Sequence, residues 1–427
     1  MAVRSSTEQV TIGLQTGIGV TNATNHIVPV NTGSFSATET FENIMDTGRR
    51  GSEALDYNSF RGVGSTEITF EFPLMYGKAS PVTTDGGGTG SVLGILLRNL
   101  LGTNIDQTGL GSATTATKAF ALTLADGTTD TKAFGTYFRL ANGTAYAQEF
   151  LTVGRKLEGT ELDTKYFDCR VSEITISANA GEGPVTCSVT LTGQPFTKTA
   201  VTVNNKYFTQ SDKIALGWEN SLIDTVFPDG GSKILTPYLL GTAMYANSGT
   251  DAANRIISAE VTMTREITPV YGLGNTNGFN NLYVGPLGVT FTSTAQLSNT
   301  ELERVRAGMP LNDDLSGYTS SKTVFAFSSG DGDKTADAEE TRAFAIGFSA
   351  VTTLEAPLTI DTSGSYSTLA ISGRALATTA SLPLSGDAYT GTGASSNLRR
   401  SPVEVLLVEE GNSTAASNRP NYGGAAT

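Results

Sequence analysis

Of the 427 residues 38% are hydrophobic and only 16% are charged, against roughly 25% charged in ordinary soluble domains; the chain is rich in Thr, Ser, Asn and Ala and has 48 Gly, a mix that favours strands and tight turns over long helices. The 28 Lys+Arg against 41 Asp+Glu give a net charge of −13, and no basic run is longer than two residues, as at Arg49-Arg50 and Arg399-Arg400, which argues against a protein that sequesters duplex DNA by neutralising its phosphates. One His and two Cys leave no His-based triad, multi-His metal centre or disulfide framework to be built within one chain.

In chain order, residues 1–33 read as an N-terminal arm whose start, MAVRSSTEQV, has no signal-peptide core. The segment SFSATETFENIM then sets Phe35, Ala37 and Phe41 on one side of a strand, and after the Arg/Gly excursion DTGRRGSEALDYNSFRGVG the chain returns in Thr66–Leu74. There the even positions Ile68, Phe70, Phe72 and Leu74 are apolar and the odd ones polar, as in a half-buried strand with one wet face. Leu93, Leu96, Leu97, Leu100 and Leu101 predict a short amphipathic helix with Ser91 as N-cap and Gly102 as stop. A Thr/Ala/Gly-rich insert covers about 103–148, and FDCRVSEITISANAGEGPVTCSVTLTGQ predicts a closing hairpin that turns at Gly181-Glu182-Gly183-Pro184.

Residues 199–255 read as a connecting segment with an added strand at ILTPYLLGTAMYA and the only Trp, Trp218. The grammar then repeats. IISAEVTMTREI sets Ile257, Ala259, Val261 and Met263 on one side, a Gly/Asn excursion follows, and Val289–Leu297 alternates again. Ser298 and Glu301 have capping-box spacing ahead of Leu302, Val305 and Met309, and AFAIGFSAVTTLEAPLTIDTSGSYSTLAISGRAL predicts a second closing hairpin. Strand, excursion, strand, helix and hairpin in the same order twice predict two tandem copies of one mainly β domain, at 34–198 and 256–380. Residues 381–427 read as a C-terminal arm with one docking strand at Pro402–Val408 and a weakly ordered end.

Sites for chemistry are scarce. His26 lies in the flexible-looking TNATNHIVPV and reads as a surface or packing residue. Cys187 alternates with Val185, Val189 and Leu191, so both it and Cys169 read as reduced core residues. The stretch DGDKTADAEE lacks the order of a calcium loop, and DGGGTG lacks the Lys-Ser/Thr of a phosphate loop. No catalytic, metal or cofactor-binding residue is expected. No apolar run approaches the roughly 18–20 residues of a membrane span, so no membrane insertion is expected either.

Several segments together resemble the tail tube proteins of tailed bacteriophages, in the large form with a duplicated tube domain. They are QTGIGVTNATNHIVPVNTGSFSATETFENI, the excursion around Gly48-Arg49-Arg50-Gly51, GSTEITFEFPL, GSVLGILLRNLLG, YFDCRVSEITISANAGEGPVTCSVTLTGQPF and ITPVYGLGNTNGFNNLYVGPLGVTFTSTAQLS. The resemblance covers most of Val10 to Leu376; the insert after Leu101, the bridge around Trp218 and the C-terminal arm depart from it.

The resemblance implies a β-sandwich or barrel-forming tube fold with short helices. It implies stacked rings around a channel for viral DNA, located in the virion tail and assembled in the host cytoplasm. Two domains per chain favour homotrimeric rings of pseudo-sixfold symmetry over hexamers. Tape-measure, baseplate and tail terminator proteins are the expected partners, with DNA as unbound cargo. Strand parity then makes Glu67, Thr69, Glu71, Glu260, Thr262, Thr264 and Glu266 the candidate lumen-facing residues. Arg49, Arg50, Arg61, Asn275, Asn277 and Asn280, on the two excursions, are candidates for ring-to-ring contacts. The competing expectations are another β-rich virion component, such as a decoration or baseplate protein, a surface-layer protein, and a carbohydrate enzyme using paired carboxylates.

Overall fold

A computed structural model describes residues 8–15, 17–19, 26–46, 58–76, 88–89, 92–102, 104–109, 133–140, 149–157, 162–201, 214–215, 221–226, 256–273, 278–296, 321–328, 343–355, 358–359, 368–377, 401–410 and 420–421. The protein is mainly β. In chain order the elements are β1 (Gln9–Gln15), β2 (His26–Val28), β3 (Ser36–Asp46), β4 (Asn58–Pro73), β5 (Met75–Tyr76), β6 (Gly88–Thr89), α1 (Val92–Leu101), β7 (Asn104–Gly109), β8 (Ala133–Arg139), β9 (Phe150–Lys156), β10 (Thr164–Asn179), β11 (Thr186–Gly193) and β12 (Thr197–Lys198). They continue with β13 (Ile214–Ala215), β14 (Ser221–Val226), β15 (Ile256–Val270), β16 (Asn281–Gln296), β17 (Ser321–Ser328), β18 (Ala343–Glu355), β19 (Leu358–Thr359), β20 (Thr368–Ala375), β21 (Val403–Glu410) and β22 (Pro420–Asn421).

One antiparallel ladder dominates. Its strands run β3, β4, β11, β10, β15, β16, β20, β18, each hydrogen-bonded to the next. The first four strands come from the N-terminal half and the last four from the C-terminal half. Within each set the spatial order is first, second, fourth, third in sequence. The halves meet at the β10–β15 seam, where seven residue pairs run from Glu173↔Thr264 to Asn179↔Ser258. At the outer side, β3 has β4 as its one partner among the described ladders.

The alternation read from the sequence explains which face is dry. One row across the sheet is Phe72, Cys187, Ile176, Val261, Phe291 and Gly373, and each of these residues is buried. Phe291, Phe325 and Phe348 pack with centroids 5.7 to 5.8 Å apart, a separation at which aromatic rings attract beyond their buried area. In the N-terminal half α1 covers the dry face, packing against β10, β8, β2 and β7. Its expected apolar stripe is buried, and Gly102 ends it at φ 103°, donating its N–H to Arg98 O at 2.8 Å. That left-handed position favours glycine at a helix C-terminus.

Both long hairpins carry the same bulge. In β3–β4 the register passes from Phe41↔Gly64 to Asn43↔Arg61, and in β15–β16 from Arg265↔Leu287 to Ile267↔Val284. In each, two residues of the second strand oppose one glutamate of the first: Gly62 and Val63 face Glu42, and Gly285 and Pro286 face Glu266. Each glutamate thus faces a glycine, Gly62 and Gly285, at which an added Cβ would lie 2.9 and 3.0 Å from the glutamate Cβ.

The segment 1–33 differs from an arm: β1 pairs with β9 and β2, and Val10 and Ile12 are fully buried. Thr11 and Gly13 are buried as well, so the alternation of Val10, Ile12 and Leu14 with Thr11 and Gly13 does not mark a wet face. His26 stands in β2 and is a packing residue, its pKa pushed down to about 4 by burial. Strand β9, buried from Phe150 to Gly154, escapes the period-two pattern. Both thiols are free and buried, and burial pushes both pKa values up. The docking strand of the C-terminal segment is β21. The helix expected after Ser298, the strand ILTPYLLGTAMYA and Trp218 lie outside the described residues.

Candidate functional site, the polar face of the sheet

The opposite face of the ladder is a continuous polar surface. One row across it reads Glu71, Ser188, Thr175, Thr262, Thr290 and Arg374. Along the strands Glu67, Ser188, Glu260, Thr290 and Thr292 are exposed, while Thr69, Glu173, Thr262 and Thr264 are half-buried. With strands about 4.8 Å apart, neighbouring hydroxyls come within hydrogen-bond reach. Thr175 and Thr262 approach to 3.1 Å across the β10–β15 seam, and Ser177 and Thr186 to 2.7 Å within the β10–β11 hairpin.

The seven expected lumen residues therefore share one face, with two qualifications. Glu71 is engaged by a neighbour, since Asn31 Nδ2 donates to its Oε1 at 2.8 Å. Glu266 sits at the bulge and accepts from Thr268 Oγ1 at 3.2 Å. Glu173 and Arg374 belong to the same face and were not anticipated. Their signal was present: Ile174 and Ile176 alternate with polar neighbours, and the same parity that placed Glu67 places Glu173. Among the ladder residues named, five glutamates face one arginine on this surface.

Of the excursion residues, Arg49, Arg50, Asn275 and Asn277 lie outside the described residues, and Arg61 is paired with Asn43 in the β3–β4 ladder. Asn280 is exposed at the neck of the β15–β16 hairpin, its N–H donating to Val270 O at 2.8 Å. Beside it Val270, Tyr271, Leu273 and Tyr283 are all exposed. The polarity of the Gly/Asn excursion gave no sign of this apolar tip.

Two largely buried polar clusters tie the sheet to its neighbours. Glu149 takes a two-pronged ion pair from Arg98 of α1. Its carbonyl accepts from Asn99 Nδ2 at 2.9 Å and from Arg170, and Asn99 Oδ1 accepts Val171 N–H at 2.8 Å. Arg265, from the C-terminal half, donates to Leu100 O and to Gly285 O, both at 3.0 Å, placing a cation at the negative end of α1. Burial, and then the charge of Arg265, push the Arg170 pKa down to about 9, and burial pushes that of Arg265 to about 10.

In the second cluster Asp168, at φ 52°, accepts Gln15 Nε2 at 3.0 Å and Gly19 N–H at 2.8 Å. Gln194 Nε2 reaches Asp168 Oδ2 at 3.3 Å and Phe279 O at 2.7 Å. Gln194 thus links the carboxylate that holds the N-terminal strand to the neck of the second hairpin.

Among the described residues no three or more His, Cys, Asp or Glu side chains gather as metal ligands would, and no helix is long and apolar enough to cross a membrane. The chain matches no protein-family model and no curated protein sequence.

Proposed function

We propose that the chain is a structural protein that stacks as rings into the tail tube of a tailed bacteriophage, with the polar face of the sheet lining the bore. The observation that carries this reading is the eight-strand ladder in which two sets of four strands repeat one order and one bulge side by side. Such a chain supplies two equivalent wall segments, so three chains complete a ring of pseudo-sixfold symmetry. In the ring, strand β3 gains the partner that an unpaired sheet edge requires, and closure makes the wall a barrel. The tandem tube domains at 34–198 and 256–380 belong to the same proposal.

Function follows from the charge and chemistry of the lined face. Hydroxyls and carboxylates give duplex DNA no cation to pair with, and a low-dielectric wall focuses the repulsive field along the bore. At physiological salt the field decays within about 8 Å, so it acts on DNA that fills the bore and keeps it from stopping at the wall. The exposed tip around Tyr271, Leu273 and Tyr283, with Asn280 at its neck, forms the contact with the next ring. Negative-stain microscopy of the purified protein tests the proposal. The expected images are hollow rods of uniform diameter whose rotational average has three distinct and six similar lobes. Solid particles, or six identical lobes, would overturn the tube or the trimer respectively.

A further inference from the structure

Strand β21 is placed unlike any other. It lies between β18, with pairs from Ala343↔Val408 to Phe348↔Val403, and β8, with pairs from Ala133↔Glu410 to Arg139↔Glu404. Every residue from Ser401 to Leu407 is buried. Val403, Val405 and Leu407 join the main core with Phe138, Phe344, Ile346 and Phe348. Among the described ladders β21 is also the one connection between the β7–β8 pair and the rest of the sheet. The C-terminal segment therefore ties the insert of the first half to the second half.

Its two flanking strands do not need it to stay in a sheet: β18 keeps β17 and β20, and β8 keeps β7. The fastening is polar. Glu404 is completely buried and accepts from Arg139 Nε at 2.9 Å. On its other side stands Gly347, which offers no side chain. The Arg139 guanidinium lies 5.8 Å from the Tyr137 ring centre, and Ser401 Oγ accepts Leu140 N–H at 3.0 Å. A carboxylate buried without its cation is strongly unfavourable, so the strand enters the slot only when Glu404 meets Arg139.

We propose that β21 is a strap seated in a peptide-accepting slot between β8 and β18, latched by the Glu404–Arg139 pair, and that it opens without unfolding the main ladder. The slot takes an extended segment of the pattern apolar, acidic, then four apolar residues, as in Val403–Val408. When the strap is out, β8 and β18 each present an unpaired edge, the template for strand addition, and β7–β8 loses its tie to the second half. The C-terminal segment thereby guards two edges against pairing with other chains.

Hydrogen exchange of the full-length protein tests the strap. In Glu404→Gln the amides of 403–408, 133–139 and 343–348 should exchange about 100-fold faster or more, the scale set by breaking a buried ion pair, while those of β4 and β11 keep their rates. A synthetic peptide of residues 401–410 in excess should restore protection to 133–139 and 343–348. Should the variant fail to fold, the same three segments of the unaltered protein must share one opening step, at lower denaturant than the β4–β11 amides. Equal acceleration everywhere, separate opening of the three segments, or peptide without effect would overturn the strap.

Discussion

Replacing Gly62 or Gly285 by alanine tests the repeated bulge, on which the two-segment wall depends. A Cβ on Gly62 would lie 2.9 Å from Glu42 Cβ and 3.0 Å from its carbonyl oxygen; one on Gly285 would lie 3.0 and 3.4 Å from the same atoms of Glu266. The obstacles are backbone and Cβ atoms, which cannot rotate away. Gly62 has the tighter contact, but it faces β3, whose one described partner is β4. Gly285 faces Glu266 of β15, which lies beyond Thr264, the last β15 residue paired with β10. Each contact costs about 1–2 kcal/mol by the usual scale of overpacking. Gly288 is the internal control, since the nearest atom to its Cβ would be the rotatable Thr264 Oγ1 at 3.2 Å, with backbone no closer than 3.9 Å, and Gly288→Ala should change stability by less than about 0.5 kcal/mol. Because a chain of this size need not unfold in one step, the assay is hydrogen exchange of each hairpin. Alanine at 62 or 285 should accelerate its own hairpin about 5- to 30-fold. No acceleration at Gly285→Ala, or an equal effect at Gly288→Ala, would refute the reasoning that the bulges are close-packed equivalents.

Three further outcomes are expected. His26 has its pKa lowered from 6.5 to about 4, so the stability it contributes is complete above pH 6.5 and is lost as the pH falls towards 4. By pH 5 the loss is about 2 kcal/mol, and His26→Gln should flatten the pH dependence of thermal unfolding between 7 and 5. Asn99→Leu leaves Val171 N–H facing an apolar side chain and should cost about 2–3 kcal/mol in denaturant unfolding; a smaller loss than 1 kcal/mol would show that another acceptor replaces it. Glu67→Lys with Glu260→Lys, both exposed on the polar face, should leave tubes assembled and slow DNA ejection measured by dye entry; unchanged ejection would remove the electrostatic role of the wall.

The surface acidity has a structural counterpart in how the halves are joined. The wall is continuous across β10–β15, Arg265 crosses from the second half to the end of α1, and Gln194 crosses from the first half to Phe279. A load on the exposed tip of β15–β16 is therefore carried into both halves by hydrogen bonds to backbone carbonyls. The register change at Arg265/Ile267 lies between the β10–β15 seam and the exposed Val270, Tyr271 and Leu273.

The sequence by itself determined which side chains share a face. Period-two alternation in Thr66–Leu74 and in the segment from Ala259 to Met263 is a local property of extended backbone, and it named the wet residues, the buried Cys187 and the turn at Gly181–Pro184. The leucine stripe and Gly102 marked α1 for the same local reason. Where both faces are covered, as in β9, alternation disappears and the strand is not marked by its own residues. Only the tertiary structure decided that β10 pairs with β15, that β21 enters between β8 and β18, and that Glu71 is engaged by Asn31 while Glu67 stands open. Those outcomes rest on contacts between residues far apart in the chain, such as Arg139 with Glu404, and no local spacing records which distant edge a strand will meet.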